Sequence, residues 1–197
     1  MSGIVGGINL RSSGLVNLGS ASDSQILTGT GVGLPVGFEA AAGGSEIVQY
    51  KSLVDTTLSS STALVDPDDS PPTSSEGVEI FGSGLAITPT SATNKLVIDA
   101  VASCGASTTN CMLTLALFQD STTDCTTVSG AIQSWHGYAN LMHLRWVMEA
   151  GTTSETTFHI RLGGHSGTAY CNWNYTGPRD YGARMFSTFT IMEIDES

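Results

Sequence analysis

The chain has 197 residues, only 13% of them charged, and a formal net charge of −11 at pH 7. An average soluble domain carries about 25% charged residues. With seven Lys plus Arg and no basic run, the composition argues against nucleic acid, whose phosphates need a basic footprint. No window approaches the roughly 20 apolar residues of a membrane span, and the N-terminus lacks the pattern of a signal peptide. Membrane insertion is therefore not expected, and any passage out of a cell is expected to be as part of a released particle.

Residues 1–45 read as an extended arm. They are dense in Gly and carry only Arg11, Asp23 and Glu39 as charges. Gly loses the most backbone freedom on ordering, so such a segment cannot sustain a core of its own. It is nevertheless too apolar for a plain spacer: Ile4, Val5, Ile8, Leu10, Leu15, Val16, Leu18, Ile26, Leu27, Val32, Leu34, Val36 and Phe38 recur along it. An arm lying on a partner's surface accounts for both properties. Of these residues, Ile4, Val5, Ile8, Leu10, Leu15, Val16, Leu18, Ile26, Leu27 and Phe38 are the candidate anchors. The tetrapeptides Ser-Gly-Ile-Val from Ser2 and Ser-Gly-Leu-Val from Ser13 hint at a repeated contact.

From Glu46 onward the pattern changes to short strands, giving a second region over 46–197. Ile47, Gln49 and Lys51 alternate with Val48, Tyr50 and Ser52, as in a strand. Residues 56–62 are a polar Ser/Thr tract. A Pro-rich acidic loop follows around 66–75, where Pro67, Pro71 and Pro72 remove backbone donors. Strands are then predicted at 78–81, 84–88, 95–103, 111–119, 128–135, 141–149, 156–163, 168–175 and 185–194. Turn residues separate them at the short spacing of a sandwich or barrel. No long amphipathic helix is expected; 141–148 comes nearest, but Arg145, Trp146 and Val147 suit a strand better. Strands 95–103, 111–119 and 185–194 carry apolar residues on both faces. Phe118, Phe186, Phe189 and Ile191 are accordingly candidates for a core or a subunit interface.

The arm, with Gly-Ile-Val-Gly-Gly-Ile from Gly3 and Ser-Gln-Ile-Leu-Thr-Gly-Thr-Gly-Val-Gly-Leu-Pro-Val-Gly-Phe-Glu from Ser24, resembles N-terminal regions of tail-fibre and other virion structural proteins of marine bacteriophages. Leu-Ala-Ile-Thr-Pro-Thr-Ser-Ala-Thr-Asn-Lys-Leu from Leu85, Ala-Leu-Phe-Gln-Asp-Ser-Thr from Ala116 and the ending Thr-Phe-Thr-Ile-Met-Glu-Ile from Thr188 are similar to the C-terminal β-domain of phage fibres, spikes and head-decoration proteins. The resemblance implies an all-β, antiparallel jelly-roll sandwich of the tumour-necrosis-factor-like kind, preceded by the Gly-rich arm, and a homotrimer. It carries no catalytic motif. No shaft repeats separate arm from head, which favours a short fibre or capsid-surface knob over a long tail fibre.

Chemistry-bearing residues are sparse. Cys104, Cys111, Cys125 and Cys171 allow three pairings if all are bridged. Cys104 and Cys111 flank what reads as a hairpin mouth, where a disulfide is geometrically feasible; buried reduced thiols are the alternative. The spacings fit no common zinc site. His143 and Arg145 share a strand face, as do His159 and Arg161, either ringing a three-fold axis or facing solvent. Gly-Gly-His-Ser-Gly from Gly163 lacks the spacing of a nucleophile elbow. Asp66, Asp68 and Asp69 lack the alternation of a Ca²⁺ loop. Trp135, Tyr138, Trp173, Tyr175 and Tyr181, interleaved with amides and carboxylates, are candidates for surface recognition of a glycan, although alternation also puts Trp173 on an apolar face. No catalytic residue, metal or cofactor is expected. The reading is a virion protein, trimeric, anchored by its arm to other virion proteins of capsid or tail. A tail-associated adhesin and a carbohydrate-binding or hydrolytic module are the alternatives.

Overall fold

The computed structural model describes residues 25–29, 36–40, 45–135, 138–173, 182 and 184–195. The chain divides into two units, Met1–Gly44 and Ser45–Ser197. In the first, β1 (Gln25–Gly29) and β2 (Val36–Ala40) form an antiparallel hairpin that pairs Leu27 with Phe38. Three of the proposed anchors, Ile26, Leu27 and Phe38, fall on this hairpin. Ile4, Val5, Ile8, Leu10, Leu15, Val16 and Leu18 lie outside the described residues.

Among the described residues the second unit has ten strands: β3 (Glu46–Asp55), β4 (Ser59–Ser61), β5 (Val78–Ile87), β6 (Lys95–Ala106), β7 (Cys111–Gln119), β8 (Thr127–Gln133), β9 (Asn140–Glu149), β10 (Thr156–Gly164), β11 (Ala169–Cys171) and β12 (Ser187–Asp195). No helix long and apolar enough to cross a membrane occurs among the described residues. One sheet runs β5-β10-β7-β8; the other runs β3-β12-β6-β11-β4, with β9 on the remaining edge of β6. All ladders are antiparallel. Strands β5, β6 and β7 thus alternate between the two sheets, while β7 and β8 pair directly, in keeping with a double-sheet jelly roll. Alternation puts Leu96, Ile98 and Ala100 of β6, Leu113, Leu115 and Leu117 of β7, and Phe189 and Ile191 of β12 between the sheets, all fully buried.

Two segments expected as separate strands, 78–81 and 84–88, are one strand. Phe81, Gly82 and Gly84 take positive φ of 68°, 65° and 82°, and the β5–β10 register slips between Phe158 and Ile160. Glycine at the predicted break therefore makes a bulge within β5, not a turn. Left-handed φ is unfavourable for Phe. Burial holds Phe81 there: its ring lies 5.4 Å from that of Phe189, and its N–H donates to Asp55 Oδ2 at 3.3 Å. The Ser/Thr tract contains β4, because short hydroxyl side chains fit an edge strand pairing with β11. Strand β11 is shorter than the predicted 168–175, ending where Asn172 adopts φ 55°.

The proposed Cys104–Cys111 disulfide is not present. It presumed that 95–103 and 111–119 pair as a hairpin, but β6 and β7 belong to opposite sheets. The Cys111 thiol instead donates to Ser166 O at 3.2 Å, and all four cysteines are free thiols. Cys104 lies opposite Cys171 on β11.

Candidate interaction surface

Register places three rows of side chains across the outer face of the larger sheet. Tyr50, Met192, Val97 and Val147 form one; Ser52, Thr190, Asp99 and Arg145 the next; Val54, Thr188, Val101 and His143 the third. The intervening residues Leu53, Phe189, Ala100 and Leu144 point into the core, so these rows face away from it. The first row is apolar throughout: Tyr50 is 59% exposed and Val147 51%. Ile47, Val48 and Val54 on edge strand β3 are exposed as well. Among them sits a polar cluster in which His143 Nε2 and Asp99 Oδ2 are 2.8 Å apart, with Arg145 paired directly across from Asp99. An apolar face with a charged centre is suited to association: the apolar rows supply area, and the charges fix register.

Phe118, Phe186, Phe189 and Ile191 do not fall together on this face. Phe189 and Ile191 are core residues, and Phe118 is buried on the outer side of the smaller sheet beside the 120–122 turn. Only Phe186 is at the surface, 54% exposed, next to Val54, Thr56 and Arg184. The other predicted His/Arg pair is engaged locally: His159 Nδ1 lies 2.6 Å from Glu79 Oε1, and Arg161 donates to the Glu76 and Gly77 carbonyls.

On the smaller sheet, the Pro-rich loop stands over β7 and β8 and encloses a groove of about 520 Å³. Met112, Val128 and Gly130 form its floor; Asp66, Asp68, Asp69, Pro71 and Pro72 line its wall. The carboxylates are spent partly on the loop itself, Asp68 Oδ1 accepting from Ser70 N at 2.7 Å. No group of three or more His, Cys, Asp or Glu positioned to hold a metal ion occurs among the described residues. Trp135 and Tyr138, in the β8–β9 connection, are 64% and 61% exposed. Trp173 is half-buried against Tyr170, ring centroids 4.9 Å apart. Tyr175 and Tyr181 lie outside the described residues.

Residues 72–197 match the family described as the Pgp3 C-terminal domain. The chain belongs to this family. In solved structures it is similar to Eiger TNF from S. frugiperda, with 7% identity over 75% of this chain and 94% of that one and a TM-score of 0.38. The infectious bursal disease virus VP2 subviral particle matches at 13% identity over 85% of this chain and 43% of VP2, TM-score 0.34. The tailspike protein 4 enzymatically active domain of bacteriophage CBA120 matches at 13% identity over 64% and 19%, TM-score 0.27. No curated protein matches the sequence.

One polar centre of this Pgp3 C-terminal domain went unnoticed in the sequence. Glu193 on β12 is fully buried. Its Oε1 accepts from Thr90 N, Thr90 Oγ1 and Asn94 Nδ2, each at 2.7 Å, and its Oε2 accepts from Gln49 Nε2 at 2.7 Å. The carboxylate thereby ties β3, β12 and the β5–β6 loop at one end of the proposed interaction face. Alternation with Phe189 and Ile191 was the available signal, since residue 193 must share their inward face. Burial pushes this carboxyl upward, but the hydrogen bonds from Thr90, Asn94 and the Ser91 amide outweigh it and hold it below its ordinary value.

Replacing Glu193 by Gln puts an amide nitrogen where acceptors are required. The expected loss is about 2–4 kcal/mol, from charge-assisted hydrogen bonds and donors left buried. Since the folded pKa is the lower one, the carboxylate's contribution is present above the unfolded value of about 4.3 and is lost as pH falls through the folded value. Urea melts of both proteins should therefore differ most near neutrality and converge in acid; a constant gap at all pH would contradict this role.

Proposed function

We propose that this jelly-roll domain works as a structural module of a virion, assembling as a homotrimer through the outer face of its larger sheet and acting without catalysis. The observation that carries the reading is the apolar row Tyr50, Met192, Val97 and Val147, whose end residues Tyr50 and Val147 are exposed beside Ile47, Val48 and Val54. Association would remove this surface from water at roughly 25 cal/mol per Å². Membership of the Pgp3 C-terminal domain family and the Gly-rich N-terminal segment support an assembly role. The finer assignment is a bacteriophage capsid-surface decoration or head-fibre protein, assembled in the host cytoplasm, whose N-terminal arm docks on other virion proteins.

Light scattering at micromolar concentration should give the mass of three chains. Changing Tyr50 and Val147 together to Lys should yield folded monomers, since both side chains are already exposed and the sandwich core does not use them. A monomeric unmodified chain, or a double variant that remains trimeric, would remove the basis of the proposal.

A second reading, host attachment through a glycan, rests on the exposed Trp135 and Tyr138 in the β8–β9 connection. Aromatic faces stack on sugar rings while neighbouring polar groups bind hydroxyls. A glycan array in which Trp135→Ala abolishes every signal would favour the adhesin role over decoration.

A further inference from the structure

The core brings together two thiols that are far apart in sequence. Cys104 on β6 and Cys171 on β11 are directly opposite in an antiparallel ladder, and both are buried. Asn172 N donates to Ser103 O at 2.8 Å, so the ladder hydrogen bond flanks the cysteine pair instead of joining it. Pairs of this kind hold their Cα atoms about 4.5 Å apart with side chains close. That separation lies within the roughly 4.4–6.8 Å that a disulfide spans. Both side chains project into the layer between the sheets. The two side chains are neighbours across this ladder position. This contact lowers the Cys171 pKa, with burial opposing it and Ser187 Oγ, 3.6 Å from the sulfur, assisting.

We propose that Cys104 and Cys171 are an oxidation site, closing to a cross-strand disulfide that staples β11 to β6 when the chain meets a low-molecular-weight disulfide such as oxidised glutathione. The Cys171 thiolate attacks one sulfur of the oxidant, breaking its S–S bond and releasing one small thiolate. Cys104 then loses its proton and attacks the Cys171 sulfur of the mixed disulfide, displacing the second small thiolate. Two protein thiols are oxidised, one small disulfide is reduced, and the two released protons go to the two leaving thiolates. Both sulfurs are closed off from solvent in the folded domain, so the exchange takes place before β11 docks or while it is detached. Strand β11 is suited to that, being three residues long and paired on its outer side with the three residues of β4. The other cysteines are committed elsewhere: the Cys111 thiol to Ser166 O, and Cys125 to the loop where its amide bonds Pro72 O.

The test is to refold the full chain with oxidised glutathione, alkylate the remaining thiols, digest without reduction and map the peptides by mass spectrometry. The expected product is one cross-linked pair joining Cys104 to Cys171, with Cys111 and Cys125 alkylated. Because the bond closes a long loop of the unfolded chain, the melting temperature should exceed that of the reduced protein by about 10 °C. The difference should vanish in Cys171→Ala. A bridge through Cys111 or Cys125, or alkylation of all four cysteines after refolding in the oxidant, overturns the proposal. A Cys104–Cys171 bond without a rise in melting temperature overturns the stapling role. The mapping uses the unmodified chain, so the site is decided even if the alanine variant fails to fold.

Discussion

Replacing Phe189 with Asp should abolish folding of the head. Phe189 is fully buried at the centre of β12, between β3 and β6, with its ring 5.4 Å from that of Phe81. Removing the ring alone, as in Phe189→Ala, costs about 3–5 kcal/mol in transfer and cavity terms. The Asp variant adds a buried carboxyl whose neighbours Leu53, Ala100 and Phe81 are apolar, at several kcal/mol more. Native domains are stable by only about 5–15 kcal/mol in total, so the sum approaches or exceeds the whole. Circular dichroism should show loss of the cooperative thermal transition. Phe186→Asp, three positions earlier and half exposed, should keep that transition within a few degrees of the parent. Equal damage from both substitutions would mean that the burial of β12 has been assigned to the wrong face.

Deleting residues 1–44 should leave the head folded and the proposed trimer intact while abolishing the proposed attachment to particles. The remaining unit, Ser45–Ser197, contains both sheets of the sandwich and all of its buried core. The removed segment carries only Arg11, Asp23 and Glu39 as charges. In the proposed assembly its docking rests on apolar and backbone contacts, so full-length attachment should persist in molar salt, where the Debye length is about 3 Å. Co-sedimentation with particles lacking the native protein would measure both effects. A truncated head that binds as well as the full chain would transfer the docking surface to the head, and the uncovered face of the larger sheet would become the first place to look.

Much of the strand content was legible because strands of a sandwich write a period of two into the chain. In β10, Phe158, Ile160 and Leu162 alternate with Thr157, His159 and Arg161, and the structure buries the first set fully. β7 was bounded correctly, since turn residues flank an apolar run on both sides. The β5 bulge was not legible, because glycine signals a turn and a bulge alike; only pairing with β10 distinguishes them. The same limit explains the cysteines. A short polar connection between two apolar runs reads as a hairpin, yet the jelly-roll order sends β6 and β7 to different sheets. Whether two strands joined by a tight connection are also neighbours is a property of the closed fold.

The site followed the same division. Alternation along β3, β6, β9 and β12 already determines which side chains share a face, because adjacent residues of a strand must point to opposite sides. Alternation along one strand does not say which strands lie side by side, nor which face of a sheet is covered. Rows such as Tyr50, Met192, Val97 and Val147 draw on four remote strands, and they exist only once β12 has inserted between β3 and β6 and β9 has paired with β6. Phe186 and Phe189, alike in sequence, are separated by the sheet itself, one at its surface and one beneath it. The buried carboxylate of Glu193 and the facing thiols of Cys104 and Cys171 belong to the same class. The chain alone determined most of the long strands, the alternation of their faces and the apolar, weakly charged character that favours assembly. The tertiary structure decided partnership, because local stereochemistry sets a side chain's direction, whereas long-range packing sets what it meets.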